Sequence, residues 1–137
     1  MYKNQRISLV MPCYNEEHGL PEVYRDLPAL IDEVIAVDNN STDRTAEIAR
    51  AAGATVVFEP VNQIARARNS GAAVATGDWL VFIDADSHPS AALMQDVAEA
   101  IQSGRFLAGG ATVRLEDGYP MLSFITGLWN LLSRTSR

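Results

Sequence analysis

The chain has 137 residues, of which 47% are apolar and 20% are charged, and its formal net charge at neutral pH is −6. A chain of this size can bury the core of one globular domain, and its acidic balance argues against a surface that follows nucleic-acid phosphates. Because Cys13 is the only cysteine, no internal disulfide can form, and Cys13 is predicted to be a packing residue. The first residues lack the long apolar stretch of a signal peptide, which favours a cytoplasmic setting.

Four runs of strand-forming residues alternate with four helix-compatible segments. The runs ISLVMP, EVIAVD, ATVVFEP and WLVFID are continuously apolar, as expected for buried strands covered on both faces. Helices are predicted over residues 20–31, 43–52, 64–75 and 90–103, and a further strand around residues 106–114. This alternation predicts right-handed crossovers and a mostly parallel, doubly wound α/β sheet within a single domain spanning residues 1–137.

Polar segments follow the predicted strands. They are PCYNEE at residues 12–17, DNNSTD at 38–43, ARARNSG at 65–71 and DADS at 84–87. Because open α/β sheets bind their ligands outside the carboxyl ends of the strands, these segments are expected to surround one site. The side chains predicted to converge there are Tyr14, Asp38, Arg68, Asp84 and Asp86.

Asp84 and Asp86 stand one residue apart just after an apolar strand, and two interpretations are open. Their carboxylates are the hard oxygen ligands that Mg²⁺ or Mn²⁺ prefers, and such an ion usually keeps positions for substrate phosphates. The alternative is a solvated or helix-capping turn, which needs no metal. The Asp-x-Asp spacing alone does not decide between them.

The other candidates also have structural alternatives. Residues 41–43 can form a local turn and helix cap, whereas Asp38 ends a hydrophobic run and is predicted to project toward the cleft. Tyr14 can fill a gap beside the sheet or stack on a nucleotide base. Arg66 and Arg68 can be solvated helix residues, or one of them can clamp a diphosphate through bidentate hydrogen bonds.

Three segments taken together, SLVMPCYNEE, EVIAVDNNSTDRTAEIA and ARARNSGAAVATGDWLVFIDADS, resemble the nucleotide-binding half of a family 2 glycosyltransferase with the GT-A fold. Their order and spacing match over residues 7 to about 90. The resemblance implies a Rossmann-like sheet that binds a nucleotide-diphosphate sugar, usually UDP- or GDP-linked. It also implies sugar transfer to an acceptor hydroxyl with inversion, assisted by Mn²⁺ or Mg²⁺.

The resemblance also implies roles for the residues at the donor's nucleoside. Pro12, Tyr14 and Glu16 resemble the first-strand loop that surrounds the base and the ribose. Asp38 resembles the second-strand acid that helps to hold the nucleoside. Asn39 is a departure, because many family members have a second aspartate there. Since an amide donates as well as accepts hydrogen bonds, the base preference stays open.

At the diphosphate, the resemblance points to three residues. Arg68 resembles the basic residue of an ARN segment near the base or the phosphates. Asp84 and Asp86 resemble the Asp-x-Asp motif, with Asp86 as the direct metal ligand and Asp84 facing the ribose or the donor sugar.

Family enzymes continue into an acceptor-binding half that supplies the general base, and this sequence ends at Arg137 without an identified base. The chain is therefore expected to be incomplete for catalysis. A non-catalytic nucleotide-sugar-binding or interaction module is the alternative. A Mg²⁺-dependent phosphohydrolase is a third function, suggested by VFIDADS, although its motif would be expected on the first strand. The apolar residues 120–133 are predicted to mediate self-association or peripheral binding to the inner face of a membrane.

Overall fold

The computed structural model describes residues 4–111 of the chain. Strands and helices alternate strictly along this part. In chain order they are β1 (Ile7–Cys13), α1 (Leu20–Asp26), β2 (Glu33–Asp38), α2 (Thr45–Ala51), β3 (Thr55–Phe58), α3 (Ile64–Val74), β4 (Trp79–Phe82) and α4 (Ala91–Ser103). The four predicted apolar runs are the four strands of this region.

The strands form one sheet in the order β3-β2-β1-β4, and every neighbouring pair is parallel. In the pairing register, Cys13 lies beside Asp38, and Asp38 lies beside Phe58. The carboxyl ends of β1, β2 and β3 are therefore aligned. The predicted mostly parallel α/β sheet is confirmed, and its carboxyl ends lie next to one another, as the site prediction requires.

The two faces of the sheet build two apolar clusters, because successive side chains of a strand point to opposite faces. On one face, Leu9, Met11 and Cys13 pack with residues of α1 and α2. On the other face, Val10 packs with Ala67 of α3. Leu9, Met11 and Val10 are fully buried, and each such side chain contributes about 1.5 to 3 kcal/mol relative to its exposed state.

Gly71 explains how closely α3 approaches the sheet. A Cβ atom at this position would overlap the side chains of Val10 and Val37. Only the absence of a side chain allows α3 to lie against β1 and β2 at this distance. Since α3 also carries Arg68, the glycine helps to set how near this arginine comes to the carboxyl ends of the strands.

Several predicted boundaries are wrong. The first helix ends at Asp26 rather than at residue 31, because Leu27 precedes Pro28 and takes an extended conformation with ψ 130°. Residues 106–111 form no strand, and the rest of the strand predicted over 106–114 lies outside the described residues. The strands β3 and β4 are not buried on both faces, since they flank the described sheet and leave Phe58 and Phe82 exposed.

The compact unit that contains the sheet ends at Gln102, and residues 103–111 fall outside it. The single-domain interpretation of residues 1–137 stays a prediction. Residues 120–133, with their predicted association, lie outside the described part of the chain. Within residues 4–111, no helix has the length and apolar character needed to cross a membrane.

Candidate functional site

A cleft of about 230 Å³ lies at the carboxyl ends of the strands. It brings together five of the seven predicted site residues, namely Pro12, Tyr14, Glu16, Asp84 and Asp86. Cys13, Asn39, Ile64 and Ala85 complete its lining. Asp38 and Arg68 do not line the cleft. The Asp38 carboxylate accepts a hydrogen bond from the Ser41 N–H in the loop after β2, and Arg68 contacts Asp84, which does line the cleft. The predicted convergence is therefore observed for the loops after β1 and β4, and α3 contributes an apolar residue that sequence reasoning missed.

A larger cleft of about 350 Å³ lies at the opposite, amino ends of the strands, beside Arg6 and Glu33. The Glu33 carboxylate accepts hydrogen bonds from the Ser8 hydroxyl and from the Thr76 backbone N–H, at 3.0 Å for the latter. These bonds lower the pKa of Glu33, the Ser8 bond most strongly. Because they tie neighbouring segments together, the charged groups of this cleft have a structural role, and the carboxyl-end cleft is the better candidate for a ligand site.

The loop after β1 and the loop after β2 are joined by reciprocal hydrogen bonds. The Asn15 side-chain oxygen accepts from the Thr42 N–H at 2.8 Å, and the Ser41 hydroxyl accepts from the Asn15 N–H at 3.1 Å. Asn15 has φ 55°, in the left-handed region that asparagine tolerates better than most residues. Residues 41 and 42 therefore do more than form the local turn that was one interpretation, because they hold the neighbouring loop in place.

Asp43 and Thr45 form the second half of this connection. The Thr45 hydroxyl accepts from the Glu16 N–H at 2.8 Å, and the Asp43 carboxylate accepts from the Glu17 N–H at 3.1 Å and from the Thr45 N–H at 2.9 Å. Burial opposes the ionisation of Asp43, but the bonds from Thr45 and Glu17 outweigh it and lower the pKa. Glu16, which lines the cleft, is thus held through its backbone by the start of α2.

Arg68 and Asp84 contact each other. A guanidinium nitrogen of Arg68 lies 2.7 Å from a carboxylate oxygen of Asp84, so α3 is joined to the loop that follows β4. The Arg68 Nε atom is buried and has no hydrogen-bond partner among the described residues. Arg66, the other candidate, lies 3.3 Å from Glu59 and belongs to a separate contact beside β3. Of the two arginines, only Arg68 is paired with an acid that lines the cleft.

Negative charge accumulates on one side of the cleft. Burial raises the pKa of Glu16, and the neighbouring carboxylates of Asp86 and Asp43 raise it further. Burial also raises the pKa of Cys13 to about 12, with smaller contributions from Glu16 and Asp38. The Cys13 thiol is 2% exposed and stays protonated at neutral pH. Cys13 belongs to the buried apolar cluster on one face of the sheet, which confirms the prediction that it is a packing residue.

The acidic side offers a cation two carboxylates, those of Asp84 and Asp86. Among residues 4–111, no group of three or more His, Cys, Asp or Glu side chains is arranged to hold a metal ion. A Mg²⁺ or Mn²⁺ ion does not require such a group, because it is commonly bound through one or two carboxylates and completes its shell with water and phosphate oxygens. The exposed Asp86 and the partly exposed Asp84 fit this mode of binding.

The described residues 4–111 form a parallel α/β sheet with a cleft at the carboxyl ends of its strands, the place where open α/β sheets bind their ligands. Comparison with known proteins narrows this class. The model of the family named Glycosyl transferase family 2 matches residues 8–128. The chain therefore belongs to glycosyl transferase family 2, and the resemblance noted in the sequence is confirmed.

Relatives in sequence bear the same class of name. An uncharacterized glycosyltransferase of Mycobacterium bovis is 38% identical over 104 residues, which are 76% of this chain and 47% of the relative. An uncharacterized glycosyltransferase of Rickettsia typhi is 32% identical over 93 residues, 68% of this chain and 32% of that protein. The chain thus spans about half, or less, of the length of these relatives.

Solved structures of glycosyltransferases share the fold. Glucosyl-3-phosphoglycerate synthase from Mycobacterium tuberculosis, in complex with Mn²⁺, UDP-glucose and phosphoglyceric acid, superposes with a TM-score of 0.63 at 31% identity, over 74% of this chain and 41% of that one. TarS of S. aureus in complex with UDP superposes with a TM-score of 0.61 at 27% identity, over 72% and 32% of the two chains. These neighbours confirm the predicted GT-A fold.

Proposed function

We propose that this chain is the donor-binding part of an inverting glycosyltransferase that uses a UDP-linked sugar and Mn²⁺ or Mg²⁺. The observation that carries the proposal is the cleft in which an exposed aromatic side chain, Tyr14, lies together with the acids Glu16, Asp84 and Asp86. An aromatic face suits a base, and acids suit a cation bound to a diphosphate. The solved neighbours bind UDP or UDP-glucose, in several cases with Mn²⁺ or Mg²⁺.

In this proposal the loops after β1 and β2 hold the nucleoside. Tyr14 is half exposed and offers its ring to the base, and Pro12 adds apolar surface beside it. The Asp38 carboxylate accepts a hydrogen bond from the Ser41 N–H at 2.9 Å, which fixes the turn after β2 and keeps the acid near the site proposed for the ribose. The hydrogen bonds between the two loops provide this geometry before a ligand arrives.

The loop after β4 holds the diphosphate. Asp86 is the direct ligand of the divalent ion, and Asp84 is oriented by its contact with Arg68. A bound ion supplies positive charge beside the leaving diphosphate, the charge that a transition state with a departing anion requires. Arg68 keeps the Asp84 carboxylate in one orientation, so that this acid does not have to be ordered when the donor binds.

Transfer also requires a group that removes a proton from the acceptor hydroxyl. No such base is assigned within residues 4–111, and we propose that the activity depends on residues beyond the donor-binding part. A non-catalytic nucleotide-sugar-binding module is the second candidate. Such a module would bind the donor through the same cleft without needing a base. The family match favours sugar transfer over the phosphohydrolase alternative.

Thermal unfolding in the presence of UDP, GDP, CDP or dTDP, each with and without Mn²⁺, tests the proposal, because a ligand that binds only the native state raises its melting temperature. We expect the largest increase with UDP plus Mn²⁺. The Asp86→Asn variant should lose the Mn²⁺-dependent part of this increase. Asp96→Asn, an equal change at an exposed position of α4, should keep it. No increase with any nucleotide would contradict donor binding.

A radiolabelled UDP-sugar separates the two candidates. Acceptor-dependent transfer at ordinary enzyme rates would show that a base exists within this chain, whereas nucleotide binding without transfer would support a module that lacks part of the catalytic machinery. The same assay with the relative from M. bovis provides the comparison, since the matched residues are 47% of that protein.

A further inference from the structure

Asn39 follows the last residue of β2, and its side chain is almost completely hydrogen-bonded. It is 6% exposed. Its Nδ2 atom donates to the carbonyl oxygen of Glu59 at 3.2 Å and to that of Val61 at 2.6 Å. Its Oδ1 atom accepts from the Gln63 N–H at 3.2 Å. One buried amide thus holds three backbone groups of the segment that connects β3 to α3.

The chemistry of these partners requires an amide. A primary amide has two N–H donors, and both are used by carbonyl oxygens that can only accept. A carboxylate of the same shape would have no donor to offer and would place negative charge beside two carbonyl oxygens. The orientation of the amide is also fixed, because the reverse orientation would direct N–H toward N–H and oxygen toward oxygen. Asn39 therefore has no donor left for a base in the cleft.

The segment that Asn39 holds leads directly into the cleft. Residues 59–63 are followed by Ile64, the first residue of α3. Ile64 lines the cleft together with Tyr14 and Asn39. Both Ile64 and Tyr14 are about half exposed, at 52% and 50%. Because both side chains line the same cleft, they give it apolar surface that differs in character from its acidic residues Asp84 and Asp86.

A second set of contacts holds the same segment from the side of α3. The Glu59 carboxylate accepts from the Ser70 hydroxyl at 2.7 Å and from the Val61 N–H at 3.0 Å, and it pairs with Arg66. The segment is thus held by β2 through Asn39 and by α3 through Glu59. Since Glu59 can still anchor residues 59–61 to the helix, loss of the Asn39 bonds should loosen the path to Ile64 without unfolding the domain.

We propose that Asn39 is a positioning residue for nucleoside binding, which it serves by holding Ile64 in place beside Tyr14 and not by contacting the base through its N–H groups. This inference rests on the proposed binding of a nucleotide donor. It assigns the apolar part of the cleft, Tyr14 and Ile64, to the base.

The test compares Asn39→Asp with Asn40→Asp, which makes the same chemical change one residue later. Asn40 is exposed and has φ 65°, a conformation that aspartate also tolerates. Calorimetry in the presence of EDTA measures the affinity for uridine and for UDP. We expect Asn39→Asp to weaken both on the order of tenfold, as for lost hydrogen bonds, and Asn40→Asp to leave both unchanged. The gain in UDP affinity on adding Mn²⁺ should be equal in all three proteins.

The variant Ile64→Ala provides a second test that does not depend on how well Asn39→Asp folds, because Ile64 is an exposed side chain. It should also weaken uridine and UDP equally. If Asn39 acts through Ile64, the double variant should lose less affinity than the product of the two single losses. Asn39→Asp should also accelerate the hydrogen exchange of the backbone amides of residues 61–64 more than that of residues 65–74 in α3.

Each outcome decides between distinct claims. If the wild-type chain binds neither uridine nor UDP, with or without Mn²⁺, the proposed function fails. If it binds them and Asn39→Asp equals Asn40→Asp, or Ile64→Ala binds as the wild type does, the role of Asn39 is overturned while the proposed function stands. A loss that is strictly multiplicative in the double variant would likewise contradict action through Ile64.

Discussion

The loops after β1 and β2 differ from the loop after β4 in how firmly hydrogen bonds hold their side chains and backbone in place. The first two are joined to each other by hydrogen bonds between residues 15–17 and residues 41–45. In the loop after β4, Asp86 is exposed and accepts a bond from the hydroxyl of the adjacent Ser87 at 3.4 Å. The side of the cleft proposed for the nucleoside is therefore preformed, whereas the side proposed for the diphosphate leaves a carboxylate oriented toward solvent and available to a cation.

The largest expected effect is a loss of stability when a hydrogen bond between the loops after β1 and β2 is removed. Asp43→Ala removes an acceptor from the Glu17 N–H and the Thr45 N–H, and should lower the free energy of unfolding by about 1 to 3 kcal/mol. Asp86→Ala, the same substitution in the loop after β4, should change it by less than about 0.5 kcal/mol, because Asp86 is exposed. Urea unfolding measures both values. Equal losses would show that the two loops do not differ as described.

The second prediction concerns nucleoside binding at the preformed side of the cleft, formed by the loops after β1 and β2. Tyr14→Ala should weaken uridine and UDP by the same factor, corresponding to about 1 to 3 kcal/mol for a lost stacking contact. Tyr14→Phe keeps the ring and should retain most of the affinity. Calorimetric titration of both ligands provides the measurement. A loss confined to UDP would place Tyr14 at the diphosphate instead.

The third prediction concerns pH. The pKa of Asp43 lies below its ordinary value of 3.8, and hydrogen bonds from Ser70 and Val61 lower the pKa of Glu59 below 4.5. Their stabilising contributions are complete above the ordinary pKa values and are lost as the pH falls through the lowered ones. Thermal unfolding should therefore show an acid-induced loss of stability that is smaller in Asp43→Asn than in the wild type. Asp96→Asn, at an exposed position, should show the wild-type pH profile.

The smallest expected effect concerns the interior next to the firm loops. The Tyr24 hydroxyl is buried and has no hydrogen-bond partner among the described residues. Burial raises its pKa, and the nearby Cys13 raises it further. Tyr24→Phe removes an unsatisfied polar atom, so the free energy of unfolding should stay unchanged or rise by about 1 kcal/mol. A clear decrease would indicate that the hydroxyl has a partner in solution.

The sequence was sufficient to predict the sheet, because each strand coincides with a mostly apolar run that is followed by a polar segment. Because parallel strands align their carboxyl ends, it was also sufficient to bring Tyr14, Asp84 and Asp86 to one cleft, although Asp38 and Arg68 do not line it. The early end of α1 was also predictable, because Pro28 restricts the residue before it. That signal was overlooked.

The connections between loops were not predictable in this way. The partners of Asn39 are about 20 residues further along the chain, and the partners of Asp43 and Thr45 belong to a loop of the preceding strand. Such bonds depend on the folded arrangement of two loops and leave no local pattern. Ile64 was missed for a different reason, since an apolar residue at the start of a helix normally indicates packing and not a ligand wall.

The most direct test of a preformed nucleoside side and a cation-dependent diphosphate side is to titrate the wild-type chain with uridine and with UDP, each in EDTA and in Mn²⁺. The account predicts that uridine binds with the same affinity in both solutions, whereas UDP binds on the order of tenfold or more tightly in Mn²⁺. A requirement of uridine for Mn²⁺, or an affinity for UDP that does not respond to Mn²⁺, would contradict it.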